Sequence, residues 1–218
     1  MTLNIIAAVA RDGAIGKDDA MPWPRLQCDM QWFAHVTTAL HPEKMAYHFV
    51  TYPRTLDIAH GTTNQALRHT TGNACIMGWR THESIGKRLP HRTSIVLRDT
   101  TYHGAGDWPC KARTFNEALE NAARLNAANI FAIGGARVFQ AALHTLACTT
   151  MYTTEIDAEY PDADTYFPWT RMQWDDGILY DYDAKGKRQH WFARHHVSPW
   201  MQDDEGPKYR LTIWERFS

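Results

Sequence analysis

The chain has 218 residues, enough for one well-buried domain and cramped for two. Its 23 basic and 24 acidic residues nearly cancel, so no net field draws it to nucleic acid or to an anionic membrane surface. Cys28, Cys75, Cys110 and Cys148 form no CxxC pair or zinc spacing. There is no Asn-x-Ser/Thr sequon, no signal-type start, and no apolar run near the ~20 residues of a membrane helix. These features predict a soluble protein of a reduced, cytoplasmic setting.

In chain order, an apolar strand is predicted over 3–10, followed by a loop rich in glycine and proline and a helix over 27–39. Residues 41–72 break the rhythm and read as a surface insertion or excursion. They hold His41, His48, His60 and His69, at intervals that match no helical metal-binding pair. Strands follow over 74–77, 93–98, 130–133 and 149–156, interleaved with helices over 80–86, 115–125 and 136–143. Thr114 and Glu117 form a Ser/Thr-x-x-Glu capping box for the helix at 115. Beyond Pro168 come aromatic stretches over 172–182, 189–197 and 208–217, separated by turns such as Asp183-Ala184-Lys185-Gly186. The pattern predicts a single α/β domain spanning 1–218. Its central sheet is mostly parallel and twisted, with helices on both faces and a C-terminal antiparallel hairpin.

Four constellations carry chemistry. Asp29 lies in Met21-Pro22-Trp23-Pro24-Arg25-Leu26-Gln27-Cys28-Asp29-Met30-Gln31-Trp32-Phe33, where helical spacing puts it on one face with Phe33 and Val36. Burying a carboxylate there costs several kcal/mol unless it is paired, so a chain keeps one where a site needs an acid or acceptor. Taken alone, the run also suits a solvated helix acid or an N-cap. The second constellation is Ile133-Gly134-Gly135-Ala136-Arg137-Val138-Phe139, a strand ending in two glycines that open a helix; it is not the GxGxxG fingerprint. The third, Met77-Gly78-Trp79-Arg80-Thr81, repeats that strand–glycine–helix turn, and Arg98 closes the next strand. Two such helix starts beside one sheet suit a ligand with two phosphate regions. In the fourth, Leu89-Pro90-His91-Arg92, a fixed guanidinium suits a carboxylate; each arginine taken singly also suits a solvated surface residue.

In order as well as content, these pieces resemble the dihydrofolate reductase family. An Ala-Ala strand precedes Ile15-Gly16, Met21-Pro22-Trp23 and Asp29 with Trp32-Phe33. Then come Met77-Gly78, Glu83-Ser84-Ile85-Gly86, Leu89-Pro90-x-Arg92, Ile133-Gly134-Gly135, and Tyr152-x-Thr154 ahead of Asp164-Thr165-Tyr166-Phe167-Pro168. The match spans 3–40 and 74–168 well and the final strands more loosely. It implies reduction of dihydrofolate to tetrahydrofolate by NADPH, a hydride going to C6 and a proton to N5. That activity supports one-carbon metabolism and is a target of antifolates.

By the same resemblance, Asp29 engages the 2-amino and N3 side of the pterin, Thr154 bonds the acid, and a water near Trp23 supplies the N5 proton. Ile6, Ala8, Met30, Phe33, Ile85, Leu89, Ile133 and Phe139 border the substrate, and Arg92 takes its glutamate α-carboxylate. Ala8, Ile15 and Gly16 lie by the nicotinamide. Gly78, Trp79, Arg80, Thr81, Leu97, Arg98, Asp99 and Arg113 lie on the adenosine and pyrophosphate side, with Gly134, Gly135, Ala136, Arg137 and Val138 at the second phosphate turn. A cis Gly134–Gly135 bond, a mobile loop over 11–24 and a monomer are also implied. Two residues depart from the family pattern. Trp79 stands where a basic residue is common, which shifts recognition of the 2′-phosphate to Arg80, Arg98 and Arg113, and Phe139 replaces a tyrosine. Rival readings are a riboflavin-pathway pyrimidine reductase of the same fold and a non-catalytic folate- or nucleotide-binding protein. An RNA-binding role has no basic stripe to support it.

Overall fold

The computed structural model describes residues 2–53, 72–98, 110–168, 177–182, 188–203 and 206–217. Five apolar runs become the middle of the sheet: β1 (Thr2–Ala10), β3 (Asn73–Gly78), β4 (Arg92–Leu97), β6 (Asn129–Gly134) and β7 (Cys148–Ile156). Three short strands are β2 (Ala14–Gly16), β5 (Cys110–Ala112) and β8 (Thr165–Tyr166). The C-terminal strands are β9 (Ile178–Tyr182), β10 (Arg188–Val197) and β11 (Tyr209–Arg216). Nine of these form one sheet in the order β5-β4-β3-β6-β1-β7-β11-β10-β9, while β2 and β8 pair apart from it.

Every neighbouring pair from β5 to β7 is parallel, and β11, β10 and β9 add on antiparallel. Parallel strands carry apolar side chains on both faces and need cover on both. Ile5 and Val9 of β1 face a cluster that includes Ala118 and Ala122 of α4 (Phe115–Arg124) and Val138 and Leu143 of α5 (Ala136–Leu143). Ile6 and Ala10 face the other way, onto Trp32 and Val36 of α1 (Gln27–Thr38) and Phe49 of α2 (Pro42–Thr51). The remaining helix among the described residues, α3 (Trp79–Ile85), follows β3 directly. The result is a single α/β domain. No helix among the described residues is long and apolar enough to cross a membrane.

Apart from the stretch over 172–182, of which 172–176 lie outside the described residues and β9 begins at Ile178, the predicted ends fall within about a residue of the observed ones, the usual scatter of such boundaries. One reading needs correcting. Part of the supposed excursion, Pro42–Thr51, is a core helix. Proline suits a helix's first turn because no N–H is needed there. Ala46, Phe49 and Val50 recur at helical spacing and are buried, and Phe49 meets Trp32 edge-on at 5.8 Å. His41 and His48 belong to this stretch; His60, His69 and the rest of 54–71 lie outside the described residues. The strands β2, β5 and β8 are too short to carry a periodicity. The capping box forms with a shifted partner: Thr114 Oγ1 accepts from Glu117 N at 3.1 Å, and Glu117 Oε2 accepts from Arg113 N at 2.9 Å.

Candidate active site

Asp29 sits in the first turn of α1 and is 7% exposed, so it is neither a solvated helix acid nor an N-cap. Thr154, fully buried on β7, donates from Oγ1 to Asp29 Oδ1 at 2.6 Å. Burial pushes the carboxyl up to about 6; the Thr154 bond pulls it down, and the charge of Asp203 pushes it up. A carboxyl with that affinity changes charge close to neutral pH, which a surface aspartate does not.

An apolar cluster lies on the sheet face covered by α1, the helix that carries this acid. Ile6, Trp23, Leu89 and Phe131 are buried on the same sheet face as α1, and Ala8, Phe33, Ile85 and Ile133 are half-buried against them. Met30 is half-buried one residue beyond the acid. Trp23 packs on Tyr160 at 5.6 Å, and its Nε1 is buried with no acceptor among the described residues. Further along α1, Thr37 fixes Arg92: Arg92 Nη1 donates to Thr37 Oγ1 at 2.7 Å, while Arg92 Nε donates to Pro90 O at 3.0 Å. The guanidinium also lies over the Phe33 ring at 5.5 Å. Its plane is therefore set from three sides.

At the C-terminal ends of β3 and β6, two helix starts lie side by side. Gly78 and Gly135 are the N-cap residues of α3 and α5, and neither carries a side chain to cap its helix. Gly134 has φ +124, a conformation open to glycine alone, and the Gly134–Gly135 bond is cis. A Cβ built on Gly78 would stand 3.7 Å from Gly135 N, and one on Gly135 would stand 3.7 Å from Thr81 Oγ1. Backbone thus approaches backbone here, with the starts of the two helices side by side. Register puts Leu97 beside Gly78, so Arg98 follows alongside Trp79. The Arg98 guanidinium lies 3.8 Å above the Trp79 ring, and His82 stacks on Trp79 at 5.3 Å. Arg80 is exposed, with its charge felt by Asp164. Ala136 is half-buried and Arg137 exposed at the start of α5.

Several predicted site residues stand apart from Asp29. Phe139 is buried on the opposite sheet face against Phe167 at 4.8 Å, and Val138 joins the same core. Leu97 packs against that core too. Arg113 is exposed and 3.9 Å from Glu117. Asp99 lies outside the described residues. Ile15 and Gly16 lie on β2, which pairs with β8. Asp12 Oδ2 accepts from Tyr160 N at 2.7 Å, Asp164 Oδ2 accepts from Asp18 N at 2.9 Å, and Lys17 pairs with Asp162 at 2.6 Å. These contacts tie 11–20 to 157–168.

Sequence reasoning passed over Thr37 as a site residue, although its place four residues after Phe33 was a usable signal. It also passed over Asp203 and Tyr209, which reach the helix start from the far end of the chain and leave no local signal.

Comparison with known proteins agrees with this architecture. A family model described as dihydrofolate reductase matches residues 64–196. The chain is 30% identical over 177 residues to a dihydrofolate reductase of Haemophilus influenzae, covering 81% of this chain and 83% of that one. It is 31% identical over 183 residues to one of Schistosoma mansoni, covering 80% and 81%. With dihydrofolate reductase HdrB of Haloferax volcanii the identity is 29% over 178 residues, covering 78% and 73%. Fold, site and matches together define an oxidoreductase enzyme. The chain belongs to the dihydrofolate reductase family, whose reaction is the reduction of dihydrofolate to tetrahydrofolate.

Proposed function

We propose that the protein reduces 7,8-dihydrofolate to 5,6,7,8-tetrahydrofolate with NADPH, a hydride going to C6 and a proton to N5. The observation that carries this reading is the buried Asp29 carboxylate fixed by Thr154 at 2.6 Å. A pterin offers its 2-amino group and N3 as adjacent donors, and a carboxylate in a dry pocket binds such a pair more strongly than water does. Thr154 orients the acceptor before the ligand arrives. Asp29 is left out of direct proton delivery to N5; that step falls to a water beside Trp23. The buried Trp23 Nε1, without an acceptor among the described residues, supports this, since buried donors pair with protein or ordered water.

Ile6, Ala8, Met30, Phe33, Ile85, Leu89 and Ile133 wall the ring system in this reading. Arg92 holds the substrate's glutamate α-carboxylate, pre-aimed by Thr37 and Pro90. The cofactor fits the glycine corner: three glycines let backbone amides come close, and two helix starts offer uncapped N–H groups to two phosphate regions. Gly78, Thr81, Gly134, Gly135, Ala136 and Arg137 would hold the pyrophosphate. Arg98, stacked on Trp79, and the exposed Arg80 would read the 2′-phosphate; Arg113 is a more distant candidate. When bound, NADPH supplies the hydride. Ile15 and Gly16 belong to a loop, 11–24, that closes on the nicotinamide side and excludes water. The same reading has a monomer working on small molecules in the cytoplasm, with antifolates competing for the Asp29 pocket.

The test is the fall in reduced-nicotinamide absorbance with dihydrofolate and either NADPH or NADH. Turnover with strong NADPH preference is expected. No turnover in the wild type, or unimpaired turnover in Asp29→Ala at neutral pH, overturns the reading.

A further inference from the structure

We infer that Asp203 is a positioning residue for Asp29: from the turn before β11 it caps helix α1 and sets a second negative charge beside the buried acid. The inference rests on the reading that Asp29 engages the pterin.

The N-cap residue of α1 is Leu26, which gives no side-chain cap. The cap comes instead from far along the chain, as Gln27 N donates to Asp203 Oδ2 at 2.8 Å across 176 positions. Asp203 is itself held. Tyr209, fully buried at the start of β11, donates its hydroxyl to Asp203 Oδ1 at 2.8 Å. Gly206 N donates to Asp203 O at 2.8 Å, and a Cβ at Gly206 would fall 3.0 Å from that oxygen and 3.6 Å from Leu26 Cδ2. The turn is therefore pressed against the residues that lead into α1. A helix N-terminus favours negative charge, and here it gathers two carboxylates within its first turn.

Among the described residues, the titratable groups at this corner are Asp29 and Cys28 on α1, Tyr209 on β11 and Asp203 on the turn. Thr154 brings only a hydroxyl from β7. Glu155, the next residue of β7, faces the other side of the sheet, toward Arg210. Among the described residues, Asp203 is the carboxylate whose charge adds to burial in raising the proton affinity of Asp29. It fixes where the acid stands and moves the pH at which it ionises.

Asp203→Asn separates these two actions, because an amide oxygen still accepts from Gln27 N while the charge is gone. The measurement is a carbon-13 carboxyl titration of Asp29 in the full-length protein without ligand, the signal assigned by its loss in Asp29→Asn. The expected result is a midpoint lower by roughly 0.3 pH units or more, with thermal stability near that of the wild type. An unchanged midpoint in a folded Asp203→Asn protein overturns the inference and leaves a purely structural cap. Should that variant not fold, Asp203→Ser, a neutral side chain that caps well, enters the same titration with the same two outcomes. A lowered midpoint without a matching shift in the pH profile of kcat/KM supports the action of Asp203 on Asp29 and counts instead against the role of Asp29 in turnover.

Discussion

Thr154 Oγ1 donates to Asp29 Oδ1 at 2.6 Å, so one hydrogen bond joins β7 to α1 across 125 positions of the sequence. It is a bond to an ionisable acceptor in a dry site, where such bonds contribute about 1.5–3 kcal/mol. Thr154→Val keeps the shape and removes the donor. Because this bond lowers the proton affinity of Asp29, its loss raises the carboxyl above about 6. The acid limb of kcat/KM for dihydrofolate should move to higher pH, with activity at neutral pH lower by roughly tenfold or more. A pH profile that stays put would count against the bond's role.

Asp29 also makes a prediction about stability. Its folded-state carboxyl is raised from 3.8 to about 6. Below the lower value both folded and unfolded chains hold the proton, and the group contributes nothing. Between the two values the unfolded chain loses its proton first, so stability falls as pH rises; above about 6 the penalty is complete. A shift of that size corresponds to about 3 kcal/mol at most. Asp29→Asn should therefore melt higher than the wild type at pH 8 and level with it near pH 3.5, while losing turnover. Thermal melts at the two pH values decide it.

Arg92 is held by Thr37 and Pro90 with its plane already set. Lysine keeps the charge and loses the fork. Arg92→Lys should raise KM for dihydrofolate by roughly tenfold or more and change kcat little, because the carboxylate contact is made equally in ground and transition states. Steady-state kinetics with separate KM and kcat provide the check.

On the far face of the sheet, Glu155 is fully buried and Arg210 Nε bonds its Oε2 at 2.6 Å. Burial raises the Glu155 carboxyl and the Arg210 charge pulls it back. Arg210→Leu would strand a buried acid, with a cost of about 3–5 kcal/mol. The double variant Glu155→Leu/Arg210→Leu should recover most of that loss. Denaturant melts of both variants test the pair, and equal stability of the single and double variants would refute it.

Much of the fold was legible in the chain because its signals are local. Apolar β-branched runs marked β1, β3, β4, β6 and β7, and glycines at the ends of β3 and β6 marked the two helix starts. The short strands β2, β5 and β8 were not legible, since two or three residues carry no period. Pro42–Thr51 was legible in principle, through Pro42 in the first turn and Ala46, Phe49 and Val50 at helical spacing; aromatic and histidine residues around them masked the stripe.

The sequence by itself determined the family, through many short motifs in one order, and it determined that an acid stands at position 29. It could not determine whether that acid is dry or solvated, because solvation depends on groups from β7 and from the turn before β11. Only the tertiary structure brought Thr154, Asp203 and Tyr209 to the start of α1, put Thr37 under Arg92, and turned Phe139 into the opposite core. Helix propensity and strand pattern act over a few residues, whereas proton affinity is set by whatever charge and burial the folded chain brings within a few ångströms.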